Sequence, residues 1–314
     1  MKGVIEMIKT ALSNVVYNDN THRLNLVDSN IEDLVLDLKR PLSVILQITR
    51  NCHFNCDFCS EKDEIPDPSL DELKAYEKNL KLVPRIFLSG GEPLTRKDFD
   101  KVVDIFSVNH ILGLPTNAVA SEKNLDIIKQ NKISVNVGLD GPRAVTSRVR
   151  GDYDFIMKGI NGLIKNDIPF SFTAVVLRST MDSVLYTCQL ADALGARKMK
   201  FVLPIPKGNA LNLDKAEYIS ESEAIELCSQ ISEAKLKFDW KTVFTFSIWN
   251  KITDGYSILV YPNGKTFAWP ALDCPDKVMP LGDLHVNTIE EIWDKYPFKY
   301  NHINKYLGNG IMVI

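Results

Sequence analysis

From Leu42 onward, short runs of aliphatic and β-branched residues alternate with longer stretches in which apolar residues recur every three or four positions. The short runs fall at 42–48, 85–89, 110–115, 133–139, 170–177 and 198–203. Between them Phe99, Val102, Val103 and Phe106 keep helical spacing, as do Phe155, Ile156, Gly159, Ile160 and Leu163. Ser69-Leu70-Asp71-Glu72, following Pro66 and Pro68, is a capping box that opens a further helix. Six strand–helix units in succession predict a parallel sheet with helices outside it. In such α/β folds the working residues gather at the C-terminal ends of the strands.

The flanks read differently. Residues 1–41 alternate only weakly, through Leu24, Leu26, Val27 and then Leu34 to Leu38, and predict a lead-in of one short helix and one or two edge strands. After residue 205 the punctuation of Pro204, Pro206, Gly208 and Asn209 gives way to a helix near 221–237. Two strand-like runs, 256–261 and 265–269, then flank Pro262-Asn263-Gly264, a hairpin signal. A last amphipathic helix carries Ile289, Ile292 and Trp293. The chain therefore divides into a lead-in (1–41), a β/α core (42–205) and a small α+β cap (206–314).

Composition narrows the function classes. Hydrophobic residues make up 45% of the 314 positions and charged residues 25%, the mix of a soluble globular protein. A net charge of −3 argues against a nucleic-acid or anionic-membrane surface. No apolar run reaches the ~18 residues of a spanning helix. Charges interrupt the first apolar run, Met1 to Lys9, so it does not read as a signal peptide. Six cysteines without export signals suit a reducing cytoplasm and metal chemistry rather than disulfides.

Three of those cysteines, Cys52, Cys56 and Cys59, lie within eight residues, directly after the first strand-like run. Three thiolates on one loop can converge on a metal or a cluster. A structural zinc site wants four ligands, and no fourth sits at zinc-finger spacing. Three cysteines on a four-iron cluster would leave one iron open and reactive. Three buried or zinc-bound cysteines are the alternative reading of the spacing alone. Cys188 and Cys228 fall on helical patterns and read as inert buried thiols.

The loop Cys52-His53-Phe54-Asn55-Cys56-Asp57-Phe58-Cys59, with an aromatic before its last cysteine, resembles the cluster loop of the radical S-adenosylmethionine (SAM) enzymes. Leu88-Ser89-Gly90-Gly91-Glu92-Pro93-Leu94 resembles that family's GGEP element. Pro115-Thr116-Asn117-Ala118 is similar to its T/S-N-G/A element, and Val137-Gly138-Leu139-Asp140-Gly141-Pro142 to its I-S-L-D-G-P, with glycine where serine is usual. Arg150-Gly151 resembles the R-G that follows. The resemblance implies a partial (β/α)6 barrel holding one [4Fe-4S] cluster on Cys52, Cys56 and Cys59. It implies SAM at the open iron, contacted from Phe58, Gly90, Gly91, Glu92, Pro93, Asn117, Asp140 and Arg150. The family cleaves SAM with one electron to give a 5′-deoxyadenosyl radical; the electron would come from a low-potential flavodoxin or ferredoxin.

Tyr261-Pro262-Asn263-Gly264, Cys274, Leu281-Gly282-Asp283-Leu284 and Ile289 to Trp293 resemble the end of the SPASM and twitch extensions of peptide-modifying members. In those, a cluster cysteine follows the hairpin glycine by five residues; that position here is Trp269. The resemblance therefore implies a degenerate extension without a second cluster, and a peptide or peptidyl side chain as substrate. A tetrapyrrole or nucleoside precursor is the alternative substrate class, and a non-catalytic iron–sulfur protein the alternative function. Cys274 is a candidate hydrogen-atom donor to a substrate radical, against a structural cysteine.

Overall fold

The computed structural model describes residues 15–18, 23–26, 35–37, 40–61, 64–118, 122–247, 257–269, 271, 277–297, 300–302 and 311–314. Its main sheet begins with β1 (Ser43–Thr49), β2 (Arg85–Gly90), β3 (Ile111–Thr116), β4 (Ser134–Gly138), β5 (Phe170–Val175) and β6 (Lys198–Val202). These six are parallel and adjacent in chain order. The helices between them are α1 (Leu70–Leu80), α2 (Phe99–Ser107), α3 (Glu122–Gln130), α4 (Arg143–Val149), α5 (Tyr153–Lys165) and α6 (Val184–Ala193). The fold is the α/β architecture that the alternation predicts.

Period-two patterning assigns each strand two faces. On β1, Val44, Leu46 and Ile48 are fully buried in the main core with Leu73, Tyr76 and Phe99 from the helices. Each such side chain contributes roughly 1.5–3 kcal/mol by leaving water. The alternate residues Ser43, Ile45 and Gln47 line a cavity on the opposite, concave face. The same division holds on β6, where Met199 and Phe201 are in the core and Lys200 and Val202 line the cavity. The Ser69–Glu72 capping box forms as expected, and further boxes at Ser220–Glu223 and Thr288–Glu291 start α7 (Glu221–Phe238) and α8 (Ile289–Asp294).

The C-terminal third joins this sheet at both edges. β7 (Val243–Ser247) runs parallel beside β6, and β8 (Ser257–Val260) runs parallel beside β1. β9 (Lys265–Ala268) closes the expected hairpin on β8, and β10 (Gly282–Asp283) pairs with β9. β11 (Ile311–Val313) is antiparallel to β7. The end of the β/α alternation at residue 205 is thus not the end of the sheet. Ser43 and Ser257 share a buried hydroxyl contact at 2.5 Å across the β1–β8 seam. Tyr76 and Asn79 of α1 donate to the carbonyls of Pro262 and Leu284.

In the lead-in, Val15–Asn18 pairs with Arg23–Leu26, and Val35–Asp37 pairs with Tyr300–His302, each as a separate two-stranded sheet. The short helix expected there falls outside the described residues. Cys188 and Cys228 are buried on α6 and α7.

Candidate active site

A cavity of about 1380 Å³ opens among the C-terminal ends of β1 to β6. The loop after β1 brings Cys52, Cys56 and Cys59 to its rim, all three as free thiols. Two local bonds and one long-range bond set the loop's shape: Phe54 N donates to Cys52 Sγ at 3.4 Å, Cys59 N to Cys56 O at 3.1 Å and, from far along the chain, Asp57 N to Val149 O at 3.0 Å. Burial pushes the Cys52 thiol up and the Cys56 thiol to about 12, and the neighbouring cysteines add to both shifts. Among the described residues no three His, Cys, Asp or Glu side chains converge on one ion-sized point. Three soft ligands rimming one cavity, near enough that Cys59 adds to the upward shifts of Cys52 and Cys56, fit a multi-iron group spanning them; binding it displaces their protons.

The Gly90-Gly91 pair serves the chain's own packing. A Cβ on Gly90 would overlap the Thr49 carbonyl, and one on Gly91 would overlap the Asn51 carbonyl and lie 2.7 Å from that of Arg50. Without side chains, Gly91 N reaches Thr49 O at 2.9 Å and Glu92 N reaches Asn51 O at 2.7 Å. The turn is thereby laced to the residues that lead into Cys52.

Glu92 is fully buried at the cavity wall. Its carboxylate accepts from Leu94 N (3.1 Å), Thr116 Oγ1 (2.8 Å) and Asn117 N (2.6 Å). Burial raises its pKa against the pull of those donors. Asn117, placed by this bracket, points Nδ2 at Cys52 Sγ, 3.7 Å away. Pro93 is buried at the start of a 3₁₀ turn and, like buried Asp140, stands behind the cavity wall.

Arg150, which the resemblance makes a SAM contact, is already engaged by the protein itself. Its Nε and Nη2 bind Asp140 at 2.6 and 3.1 Å, its Nη1 binds Asn117 Oδ1 at 3.3 Å, and its guanidinium lies 5.1 Å over the Phe58 ring. Burial alone would lower its pKa; the Asp140 carboxylate overrides this and raises it. Asp140 also accepts from Val175 N at 2.9 Å. The glycine at 138 has its reason here. A Cβ there would overlap Arg150 Nη1 and lie 2.5 Å from Cζ, so the guanidinium occupies the space a serine would need. Gly138→Ser is expected to cost about 1–3 kcal/mol by overpacking, read as a lower denaturation midpoint of the metal-free protein. An unchanged midpoint would show that Arg150 has another place to go.

Sequence reasoning missed a second set of residues. Glu61, at the end of the cysteine loop, pairs with Arg50 at 3.0 Å and Lys207 at 2.6 Å; all three side chains are largely buried. Lys207 Nζ also donates to Tyr261 of the hairpin at 3.0 Å. Burial opposes ionisation of Glu61, but the two cations win and hold its pKa below the usual carboxylate range. Asn209 donates through N to Cys59 O and through Nδ2 to Cys56 O, both at 2.8 Å. The loop after β6 therefore straps the loop after β1. The signal was available: Lys207 to Asn209 follow strand six on the same face as the cysteines. Lys200 was also missed. It lines the cavity, and burial, with Lys198 adding, brings its pKa down to about 8.

Trp269 lines the cavity too, packing on the cluster of Leu259, Tyr261 and Phe267. Cys274 lies outside the described residues.

Residues 46–191 match the sequence model of the Radical SAM superfamily. That stretch is a radical SAM domain. Its similarity to a GTP 3′,8-cyclase of Clostridium botulinum is 25% identity over 207 residues, covering 59% of this chain and 63% of that protein. The chain spans less than two thirds of the length of this curated relative. Two solved structures share the fold. Streptococcus suis SuiB, bound to precursor peptide SuiA, aligns with a TM-score of 0.70 at 12% identity over 83% of this chain and 66% of that one. The anSMEcpe structure with bound AdoMet aligns with a TM-score of 0.68 at 15% identity over 81% of each chain. Among the described residues no helix is long and apolar enough to cross a membrane.

Proposed function

We propose that this chain is a cytoplasmic radical SAM enzyme that holds one [4Fe-4S] cluster on Cys52, Cys56 and Cys59, binds SAM beside it and modifies a peptide or peptidyl side chain. One observation carries the reading: the three thiols, Gly91, Glu92, Asn117 and Arg150 line a single cavity at the strand ends. When bound, the cluster supplies the electron that cleaves SAM to methionine and a 5′-deoxyadenosyl radical, chemistry that no side chain offers. The protein's part is placement. Glu92 fixes Asn117, whose amide donates toward Cys52 Sγ and would tune the cluster through that sulfur. Arg150 stacks on Phe58 and holds the last turn of the cysteine loop. The β8–β9 hairpin and Trp269 wall off one side of the cavity, which keeps water from a reactive intermediate.

The cavity exceeds the roughly 300–1,000 Å³ of a single small-ligand site, leaving room for a substrate group beside SAM. SuiB, in a structure with its precursor peptide, supports a peptidyl substrate by fold. The GTP 3′,8-cyclase likeness supports the second reading, a nucleotide-like small molecule. The test is anaerobic reconstitution followed by SAM and dithionite, with flavodoxin or ferredoxin as the physiological donor class. Formation of 5′-deoxyadenosine supports the reading; a reconstituted cluster that never cleaves SAM favours a non-catalytic iron–sulfur protein.

The C-terminal extension is proposed to keep the hairpin-and-helix form of a SPASM or twitch segment with Trp269 in place of a cluster ligand. Reconstituted protein should then hold about four iron and four sulfide per chain. About eight of each, with a second paramagnetic signal indifferent to SAM, would overturn the single-cluster assignment.

A further inference from the structure

The three cysteines are supported in different ways. Cys52 Sγ faces the Asn117 amide, and Cys56 is buried with Phe58, Val149 and Leu177. Cys59 is half-buried, and its thiol donates to the backbone carbonyl of Glu61 at 3.3 Å. The place of Glu61 therefore bears directly on the place of Cys59.

Glu61 is fixed from several directions. Its carboxylate takes Lys207 Nζ at 2.6 Å, Arg50 Nη1 at 3.0 Å and Ser60 Oγ at 3.2 Å. Arg50 Nη1 also donates to Gln47 Oε1 at 2.6 Å, and Lys207 Nζ to the Tyr261 hydroxyl at 3.0 Å. The Tyr261 ring lies under both cations, 5.5 Å from the Arg50 guanidinium and 5.6 Å from the Lys207 ammonium. Tyr261 directly follows β8 in the hairpin, so the C-terminal extension reaches the cysteine loop through it. The backbone comes close as well: Gly208 has a φ of +61°, and a Cβ there would lie 2.6 Å from Cys59 O.

Burying three charges is a poor route to stability. Each gives up hydration, and the pairing gains little over well-packed apolar side chains. What the group does impose is one geometry. The carboxylate must meet a cation from the end of β1 and another from the loop after β6 together, which ties the end of the cysteine loop to both.

We propose that Glu61 is a positioning residue for Cys59, held by Arg50 and Lys207 and, through Lys207, by Tyr261 of the C-terminal hairpin. This rests on the cluster reading above and adds a task for the extension, which is to frame the cluster loop. Cluster binding displaces the Cys59 proton, so the bond to Glu61 O belongs to the metal-free protein. Its contribution is a thiol already in place.

The experiment reads iodoacetamide alkylation, cysteine by cysteine, on the reduced metal-free protein by mass spectrometry at one pH. Cys188, fully buried on α6, reports global opening. Glu61→Gln and Lys207→Met should each raise the Cys59 rate about tenfold over any change at Cys188, equivalent to about 1.4 kcal/mol of local hold. Tyr261→Phe removes only a hydroxyl and should raise it about threefold. Glu61→Gln should add less in the Lys207→Met background than in the native one, because the two share a bond. In the reconstituted protein, iron loss to a chelator should quicken in the same variants.

The two charge changes control for each other. Loss of the carboxylate alone would favour the thiolate and speed alkylation, whereas loss of the ammonium would slow it. Opposite changes at Cys59 would therefore assign the pair an electrostatic effect only and overturn the proposal. So would an unmoved Cys59 rate in Lys207→Met and Tyr261→Phe, a result that counts even if Glu61→Gln does not fold. Parallel rises at Cys59 and Cys188 would show lower global stability alone and overturn it too. Native protein that loads a cluster, with variants that lose iron at the native rate, refutes this inference alone. Native protein that takes up no cluster refutes the cluster reading.

Discussion

Alanine at Cys52, Cys56 or Cys59 is expected to leave a folded protein that retains less than about a quarter of the native iron after reconstitution, because on the proposed reading each thiolate holds one corner of the cluster. The three sites differ in what else they disturb. Cys56 is buried with Phe58, Val149 and Leu177, so Cys56→Ala also opens a small hollow beside Arg150. Cys52 is exposed, and its chief fixed contacts are Phe54 N and the Asn117 amide. Cys52→Ala is therefore the cleaner test. Its metal-free form should denature within about 0.5 kcal/mol of the native metal-free form, as surface substitutions do. Iron content, visible absorption and 5′-deoxyadenosine yield should fall together. Native iron loading in Cys52→Ala would refute the three-thiolate site.

Removing Arg150 should have a larger effect on stability than on anything else. The sequence resemblance makes it a SAM contact, for which Arg150→Ala would weaken SAM binding and spare the cluster. The structure leads elsewhere. Asp140 is buried and takes two of the guanidinium's donors. Deleting the cation strands that carboxylate, and breaking a buried pair in this way costs about 3–5 kcal/mol. That is a large share of the roughly 5–15 kcal/mol by which domains are stable. The Phe58 ring loses its cover at the same time. Arg150→Met should therefore lower the denaturation midpoint of the metal-free protein and slow cluster loading as well as weaken SAM binding. Adding Asp140→Asn should recover part of the stability, since it removes the stranded charge. A single Arg150→Met that loses only SAM affinity, with an unmoved midpoint, would restore the simpler assignment.

The core strands were legible because each needs one apolar face against helices. The run at 85–89 becomes Arg85–Gly90 and that at 170–177 becomes Phe170–Val175. The cysteine loop and the Gly-Gly turn were legible because their chemistry is compressed into a few consecutive residues. Three things were not. The placement of β7 and β8 at opposite edges depends on pairings over many residues, such as Ser257 with Ser43, for which local patterning carries no signal. The Glu61–Arg50–Lys207 group joins the loops after β1 and β6, and its charges taken singly read in sequence as ordinary surface charge. The glycine at 138 read only as a departure from the usual serine; the position of Arg150 shows that it makes room for a neighbour.

The strap from Asn209 to Cys56 and Cys59, and the parallel seam of β8 on β1, bear on when the protein can receive its iron. The cysteine loop leaves the ribosome early, but its partners are encoded about 150 residues later for the strap and about 200 later for the seam. At about 5–20 residues per second, the loop waits roughly 8–30 s for Asn209 alone. Through that interval β1 lacks one of its two neighbours, and the cysteine loop lacks its strap. Iron delivered to the nascent chain would meet an unframed loop, open to oxidation and to stray metals. On the proposed reading, cluster insertion is expected late in biogenesis. Pulse-labelled chains arrested before residue 209 should take up little iron, whereas chains released whole should take it up readily.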